Sequence, residues 1–199
     1  MPLEKLVIAS NNPGKLAEIR QLLKPLKFEI RPQSDFGVVT PAETGLTFVE
    51  NALIKARAAA EATGTAALGD DSGLVVDALN GAPGIHSSRF AGERASDADN
   101  NRLLLERLDD VPEERRGASF YCCLVLLRHA ADPAPLICTG TWQGRILEAP
   151  RGESGFGYDP LFLESGLSVT AAELSAVEKN RISHRGRAMQ KLIDKLQAR

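Results

Sequence analysis

Three cysteines are all that the 199 residues carry. They form no Cys-x-x-Cys pair and accompany no cluster of histidines, which excludes a disulfide framework and a thiolate metal site. Cys122 and Cys123 are neighbours inside an apolar run, and with Cys138 they read as reduced, buried thiols of a cytoplasmic protein. Neither sign of charge dominates: 24 Lys and Arg face 26 Asp and Glu, a net charge of −2. No basic run supports nucleic-acid binding by bulk electrostatics, so any phosphate binding must come from a few placed groups. No segment is long and apolar enough to span a bilayer, and the N-terminus enters strand-like sequence at Leu6, Val7 and Ile8 without a basic start. Neither secretion nor a membrane partner is expected. There is no internal repeat, low-complexity tract or interdomain linker, and 43% hydrophobic and 25% charged residues fit an ordinary soluble chain.

What is there concentrates around Gly69-Asp70-Asp71-Ser72-Gly73. An apolar run, Thr65 to Leu68, precedes it and Leu74 to Val76 follow, so the acids are expected on a tight turn between two buried strands. Adjacent aspartates repel unless a cation or donors neutralise them, and oxygen ligands on a loop suit a hard metal such as Mg²⁺. Asp, Ser and Gly are also ordinary turn residues, and a solvated turn accounts for them equally well.

Along the chain, Leu3 to Ala9 reads as a first strand. Ser10, Asn11, Asn12, Pro13, Gly14 and Lys15 then form a polar turn before a helix with Leu16, Ile19, Leu22 and Leu23 apolar. Free helix N–H groups and the Lys15 charge make such a turn an anion site, although the glycine spacing and Lys-Ser/Thr ending of a Walker loop are absent. Phe28 to Arg31 reads as a second strand, and a polar loop from Pro32 to Gly45 delivers Glu43 ahead of a long helix. Thr47 with Glu50 is a capping box for that helix, which runs to about Thr63 and puts Asn51 and Lys55 on one face. An antiparallel return would bring Lys55 beside the Asp70-Asp71 pair.

A long loop follows through Gly81-Ala82-Pro83-Gly84, His86 and Arg89. Ser96 and Asp99 open a helix to Leu108, and Ala118 to Leu127 reads as a long buried strand. Leu136 to Trp142 and Gly144 to Leu147 continue the sheet after a hairpin connection at Asp132, Pro133 and Pro135. In Gly152 to Pro160, three glycines around Phe156 let backbone approach a flat ligand while the ring stacks on it, and Asp159 accepts hydrogen bonds. Thr170 and Glu173 form another capping box. Lys179, Ser183, His184 and Arg185 could converge on one ligand; capping explains only Ser183. Strands alternate with helices early and run together in the middle, so the expected fold is α/β: a long mixed central β-sheet with flanking helices, in two lobes around a nucleotide-binding cleft, over a single domain 1–199.

Together these stretches resemble the inosine triphosphate pyrophosphatase family, the XTP/dITP diphosphatases. The resemblance is carried by the Ser10 to Lys15 turn, Glu43-Thr44-Gly45 with Phe48-Val49-Glu50-Asn51-Ala52, Asp70-Asp71-Ser72-Gly73-Leu74, Gly81-Ala82-Pro83-Gly84, Phe156-Gly157-Tyr158-Asp159-Pro160 and Ser183-His184-Arg185-Gly186. It covers nearly the whole chain, and the ordered set is far more specific than any one motif. It implies a two-lobed α/β fold, usually dimeric, that hydrolyses ITP, dITP and XTP to the monophosphate and pyrophosphate with Mg²⁺.

Carried over residue by residue, the resemblance implies that Asp71 is the proton acceptor and a Mg²⁺ ligand, with Glu43 and Asp70 sharing the metal. Lys55 is implied as a further phosphate contact with a catalytic role. Ser10, Asn11, Asn12, Pro13, Gly14 and Lys15 match the triphosphate turn. Ser72, Phe156, Gly157, Tyr158, Asp159, Lys179, His184 and Arg185 match substrate contacts, the later ones around the base. The chain departs from the commonest pattern at Gly69, where relatives often have Ala, and at His86, where an aromatic is frequent. A pyrophosphatase for other nucleotides would keep the acids and lysines with a different base pocket; a binding module without catalysis would have no use for clustered carboxylates.

Overall fold

A computed structural model describes residues 4–198. Leu3, where the first strand is expected to begin, lies outside the described residues. The strands are β1 (Lys5–Ala9), β2 (Glu29–Pro32), β3 (Ala67–Val76), β4 (Gly117–Leu127), β5 (Leu136–Ile146) and β6 (Phe162–Glu164). The helices are α1 (Pro13–Leu23), α2 (Phe48–Thr63), α3 (Asp97–Arg107), α4 (Ala176–Ile182) and α5 (His184–Gln197). The strands form a six-stranded sheet in the order β2-β1-β3-β4-β5-β6. β1 runs parallel to β2 and β3, while β5 and β6 pair antiparallel, so the sheet is mixed as the sequence predicts.

The capping signals locate the helices. Thr47 caps α2, where Glu50 Oε2 accepts from the Thr47 hydroxyl at 2.7 Å and from the Leu46 N–H at 2.9 Å. Ser96 and Asp99 form a complete capping box at α3. Among the described residues no helix is long and apolar enough to cross a membrane.

The chain divides into two compact units. One ends at Asp71 and resumes over Cys122–Gly140 and from Arg185; the other holds Ser72–Tyr121 and Thr141–His184. In the first, strand alternation sends Leu6 and Ile8 of β1 to one face, against Ile19 and Leu23 of α1 and Met189 and Leu192 of α5. Val7 and Ala9 go to the opposite face, against Ala59 and Ala60 of α2. Cys122, Cys123 and Cys138 are free and buried there, and burial pushes the Cys123 thiol up to about 11. The second unit has its own core of Leu74, Leu104, Phe120, Trp142, Tyr158 and Phe162.

Two expected breaks are not breaks. The Gly69 to Gly73 stretch is not a turn but the middle of β3, and β5 continues through Gln143. β3 continues because both aspartates are paired, as described below, and because Gly69 lets α2 lie against it. A Cβ at Gly69 would sit 2.1 Å from the Ala52 carbonyl oxygen and 3.1 Å from Ala56 Cβ. β6, three residues long, has no sequence signal strong enough to announce it.

The β4–β5 connection is fastened by Asp132. Its Oδ2 accepts from the Arg128 N–H at 3.0 Å and Nε at 2.8 Å, its Oδ1 accepts from the Ala134 N–H at 3.0 Å, and Arg128 Nη2 also donates to Oδ1. The Arg128 hydrogen bonds hold the Asp132 carboxyl well below the usual aspartate range.

Two outcomes are expected. Gly69→Ala is expected to cost about 1–3 kcal/mol by overpacking, measured by urea unfolding; an unchanged midpoint would show that α2 yields freely. Asp132→Asn lowers stability at neutral pH. Because the folded pKa lies below the unfolded one, the native contribution is full above about pH 4 and is lost as pH falls towards the folded pKa. The gap between the variant and the native chain therefore narrows in acid, and a gap constant from pH 7 to pH 3 would contradict the assignment.

Candidate active site

The first unit gathers most of the charged residues singled out in the sequence. At the start of α1, Asn12 Oδ1 accepts from the Lys15 N–H at 2.9 Å and Ser10 Oγ accepts from the Asn12 N–H at 3.2 Å. Pro13 and Gly14 form the first helical turn, and Asn11 Nδ2 donates to Thr40 Oγ1 at 3.0 Å. This compact turn directs Lys15 Nζ to within 2.9 Å of Asp70 Oδ1. Arg185, at the start of α5 and 1% exposed, donates from Nε to Asp70 Oδ2 at 2.7 Å and from Nη1 to Glu18. Cys122 Sγ lies 3.7 Å from the same Asp70 oxygen.

A second set lies next to it on the same strand. Lys55 Nζ donates to Glu43 Oε1 at 2.9 Å and to Asp71 Oδ1 at 2.6 Å. The return of α2 into β3 thus brings Lys55 to the acids, as expected. Glu43 is held in place by the start of α2, where Asn51 Oδ1 accepts from the Gly45 N–H at 2.8 Å beside the Glu50 bond to Leu46.

Electrostatics separates the two aspartates. Burial disfavours the Asp70 carboxylate, but Arg185 and Lys15 outweigh it and hold its pKa well below the ordinary value. For Asp71 burial wins over Lys55 and Lys15, and its pKa is raised. Burial also works against the Lys55 ammonium, yet Asp71 and Glu43 overcome it and raise its pKa. Around these cations, Lys15, Lys55 and Arg185, stand four carboxylates: Glu18, Glu43, Asp70 and Asp71. Asp71 Oδ2 is buried with no hydrogen-bond partner.

Among the described residues no group of three or more His, Cys, Asp or Glu side chains is placed so that it could hold a metal ion. Asp70 engages both its oxygens with Lys15 and Arg185, and Glu43 and Asp71 share Lys55. Glu43 and Asp71 do fit Mg²⁺, which needs one or two carboxylates and takes its other oxygens from substrate and water.

The second unit holds a separate polar group. Asp159 Oδ2 accepts from the Phe156 N–H at 2.9 Å and from Lys179 Nζ at 2.5 Å, and that ammonium lies 4.7 Å from the Phe156 ring centroid. Gly157 is held through its N–H by Asp97 and through its carbonyl by Asn101. The Tyr158 hydroxyl donates to the Ser87 carbonyl at 2.8 Å, and burial raises its pKa. His184 stacks on Phe120, ring centroids 4.8 Å apart at 14°, and is 5% exposed. Ser72, the first residue of this unit, is half-buried on β3. Lys179 bonds Asp159, His184 stacks in the aromatic group, and Arg185 bonds two carboxylates of the first unit. Three participants have only faint signals in the sequence. Glu18 stands one helical turn after Lys15, and Asp97 and Asn101 share a face of α3.

The chain matches the Ham1 family over residues 6–195. It belongs to the Ham1 family. A dITP/XTP pyrophosphatase of Vibrio cholerae is 54% identical over 190 residues, 96% of this chain and 95% of the relative. Among solved structures, a HAM1 protein from Coxiella burnetii is similar with a TM-score of 0.91 and 50% identity, covering 100% of each chain. The Ham1 protein of Staphylococcus aureus matches with a TM-score of 0.86 at 39% identity, over 98% of each chain. The resemblance to inosine triphosphate pyrophosphatases read from the motifs is borne out, and so is the mixed α/β sheet, which is that of the Ham1 structures.

Removing Arg185 tests its place in this Ham1 chain. Arg185→Ala leaves Asp70 buried with Lys15 as its remaining cation and is expected to cost about 3–5 kcal/mol, read by thermal unfolding. A variant as stable as the native chain would show that the guanidinium does not support Asp70.

Proposed function

We propose that this protein hydrolyses the deaminated purine nucleoside triphosphates ITP, dITP and XTP to the monophosphate and pyrophosphate, with Mg²⁺ as cofactor, and so clears them from the nucleotide pool. The observation that carries the reading is identity of 54% over nearly the full length to a dITP/XTP pyrophosphatase, with the carboxylates and lysines of the motif set held together in the first unit. We include in the proposal a homodimer in the cytoplasm, supported by the family resemblance and by three buried, free thiols.

Glu43 and Asp71 are the residues that would hold Mg²⁺, which when bound supplies positive charge to the phosphates and to the attacking water. The chain's own residues divide the remaining work. Asp71 Oδ2, buried and without a partner, accepts the proton of the water that attacks the α-phosphorus. Lys55 on the other oxygen keeps it oriented. Lys15 and Lys55 neutralise phosphate oxygens. Asp70, held ionised by Arg185 and Lys15, keeps Lys15 in place. In the second unit, Phe156 offers its ring to the base while Lys179 and His184 offer donors. Inosine and xanthine carry an oxygen at ring position 6 where adenine carries an amino group, so donors there favour the deaminated bases.

The test is pyrophosphate release from ITP, XTP, GTP, ATP and dTTP with and without Mg²⁺, separating pyrophosphate from orthophosphate. Metal-dependent release from ITP and XTP above the others is expected; preference for dTTP would overturn the base assignment. Asp71→Asn should lose about 10²–10⁴ in kcat with its fold intact, because Lys55 keeps Glu43 as a partner. Near-native turnover would remove Asp71 from the role of base.

A further inference from the structure

In the second unit four consecutive residues, Phe156 to Asp159, are each held from a different direction. The Phe156 N–H is tied to Asp159, the Tyr158 hydroxyl to Ser87, and Asp159 to Lys179. Gly157 is held by two side chains of α3. Asp97 Oδ2 accepts from its N–H at 2.7 Å, and Asn101 Nδ2 donates to its carbonyl at 2.9 Å. Asp97 and Asn101 are one turn apart on α3, so they grip both faces of one residue from one rigid element.

Stability does not explain this clamp. Asp97 is exposed, where a hydrogen bond adds little to the folded state. Asn101 leaves its own Oδ1 buried with no partner, an unfavourable arrangement unless the amide is needed where it is. Gly157 also needs the clamp. Its φ of +63° is a conformation that glycine adopts without steric penalty but does not by itself prefer, and nothing lies within 4 Å of where its Cβ would be. The peptide between Phe156 and Gly157 takes its orientation from two ties: Asp97 on the Gly157 N–H, and the Asp159 N–H, which donates to the Phe156 carbonyl at 3.3 Å.

We propose that Asp97 and Asn101 are positioning residues that fix the Phe156 ring through Gly157 and thereby set how sharply the protein distinguishes one base from another. The inference rests on the function proposed above for Phe156. It assigns no contact with substrate to either α3 residue. Asp97→Asn keeps a side-chain oxygen to accept from the Gly157 N–H, so it preserves most of the clamp. Asn101→Asp is nearly isosteric but turns an oxygen towards the Gly157 carbonyl, so it breaks the clamp as fully as Asn101→Ala.

The experiment measures kcat and KM for ITP, XTP, GTP, ATP and dTTP, together with exchange of the Gly157 amide by NMR. Asn101→Ala and Asn101→Asp should lower the ratio of kcat/KM between the best and worst nucleotide about tenfold, mainly through KM, with faster Gly157 exchange and a melting temperature near that of the native chain. Asp97→Asn should restore both readouts relative to Asp97→Ala. In a Phe156→Ala background Asn101→Ala should add less than about twofold, because the ring through which it acts is gone. A ratio unchanged by Asn101→Ala overturns the proposal whatever the exchange does, and so does an equal further loss in the Phe156→Ala background. Native protein that prefers dTTP would instead overturn the functional reading, and the clamp would still be judged by the ratio for the favoured nucleotide.

Discussion

Two adjacent aspartates in the middle of a buried strand make up a large electrostatic debt, and the way it is met shapes the first unit. Asp70 and Asp71 alternate to opposite faces of β3, as neighbours on a strand must. Each face then has its own cation source: α1 and α5 bring Lys15 and Arg185 to Asp70, and α2 brings Lys55 to Asp71. The strand alternation that distributes Leu6 and Val7 between two apolar layers also distributes the two acids between two kinds of environment. Asp70 is saturated and firmly ionised; Asp71 is half-saturated, with a raised pKa and an open oxygen. Identical side chains one residue apart thus take different roles without any difference in chemistry between them.

The second unit solves a different problem. A flat base offers little charge, so recognition there depends on the placement of rings and donors. Lys179 lies over Phe156 while bonded to Asp159, and His184 stacks in the Phe120 and Trp142 group. In both cases a polar group is packed against an aromatic face that limits its motion. Precision here comes from rigid surroundings, as it does in the first unit from ion pairs.

Much of this was legible in the residues themselves. Capping boxes at Thr47 and Ser96 marked α2 and α3 closely, apolar periodicity marked β4 and β5, and the order of motifs marked the family. Local signals mislead where they conflict with tertiary ones. Gly-Asp-Asp-Ser-Gly has the composition of a turn, and nothing nearby in sequence says that three cations from α1, α2 and α5 will make it a strand. Arg185 follows His184 directly, and nothing local says that its guanidinium bonds Asp70 and Glu18. Asp97 and Asn101 sit about 60 positions before the glycine they hold, beyond the reach of any local pattern.

The loop that carries Glu43 is fastened at both sides. Thr40 accepts from Asn11 and Gln33, while Gly45 and Leu46 donate to Asn51 and Glu50 at the start of α2. Between and beside these ties Val39 and Leu46 project into solvent, so apolar burial is not what orders the segment. Ordering a mobile carboxylate at the moment a ligand arrives would subtract its conformational entropy from the binding free energy. Here that entropy is surrendered during folding, and Glu43 is already beside Lys55 in the free protein.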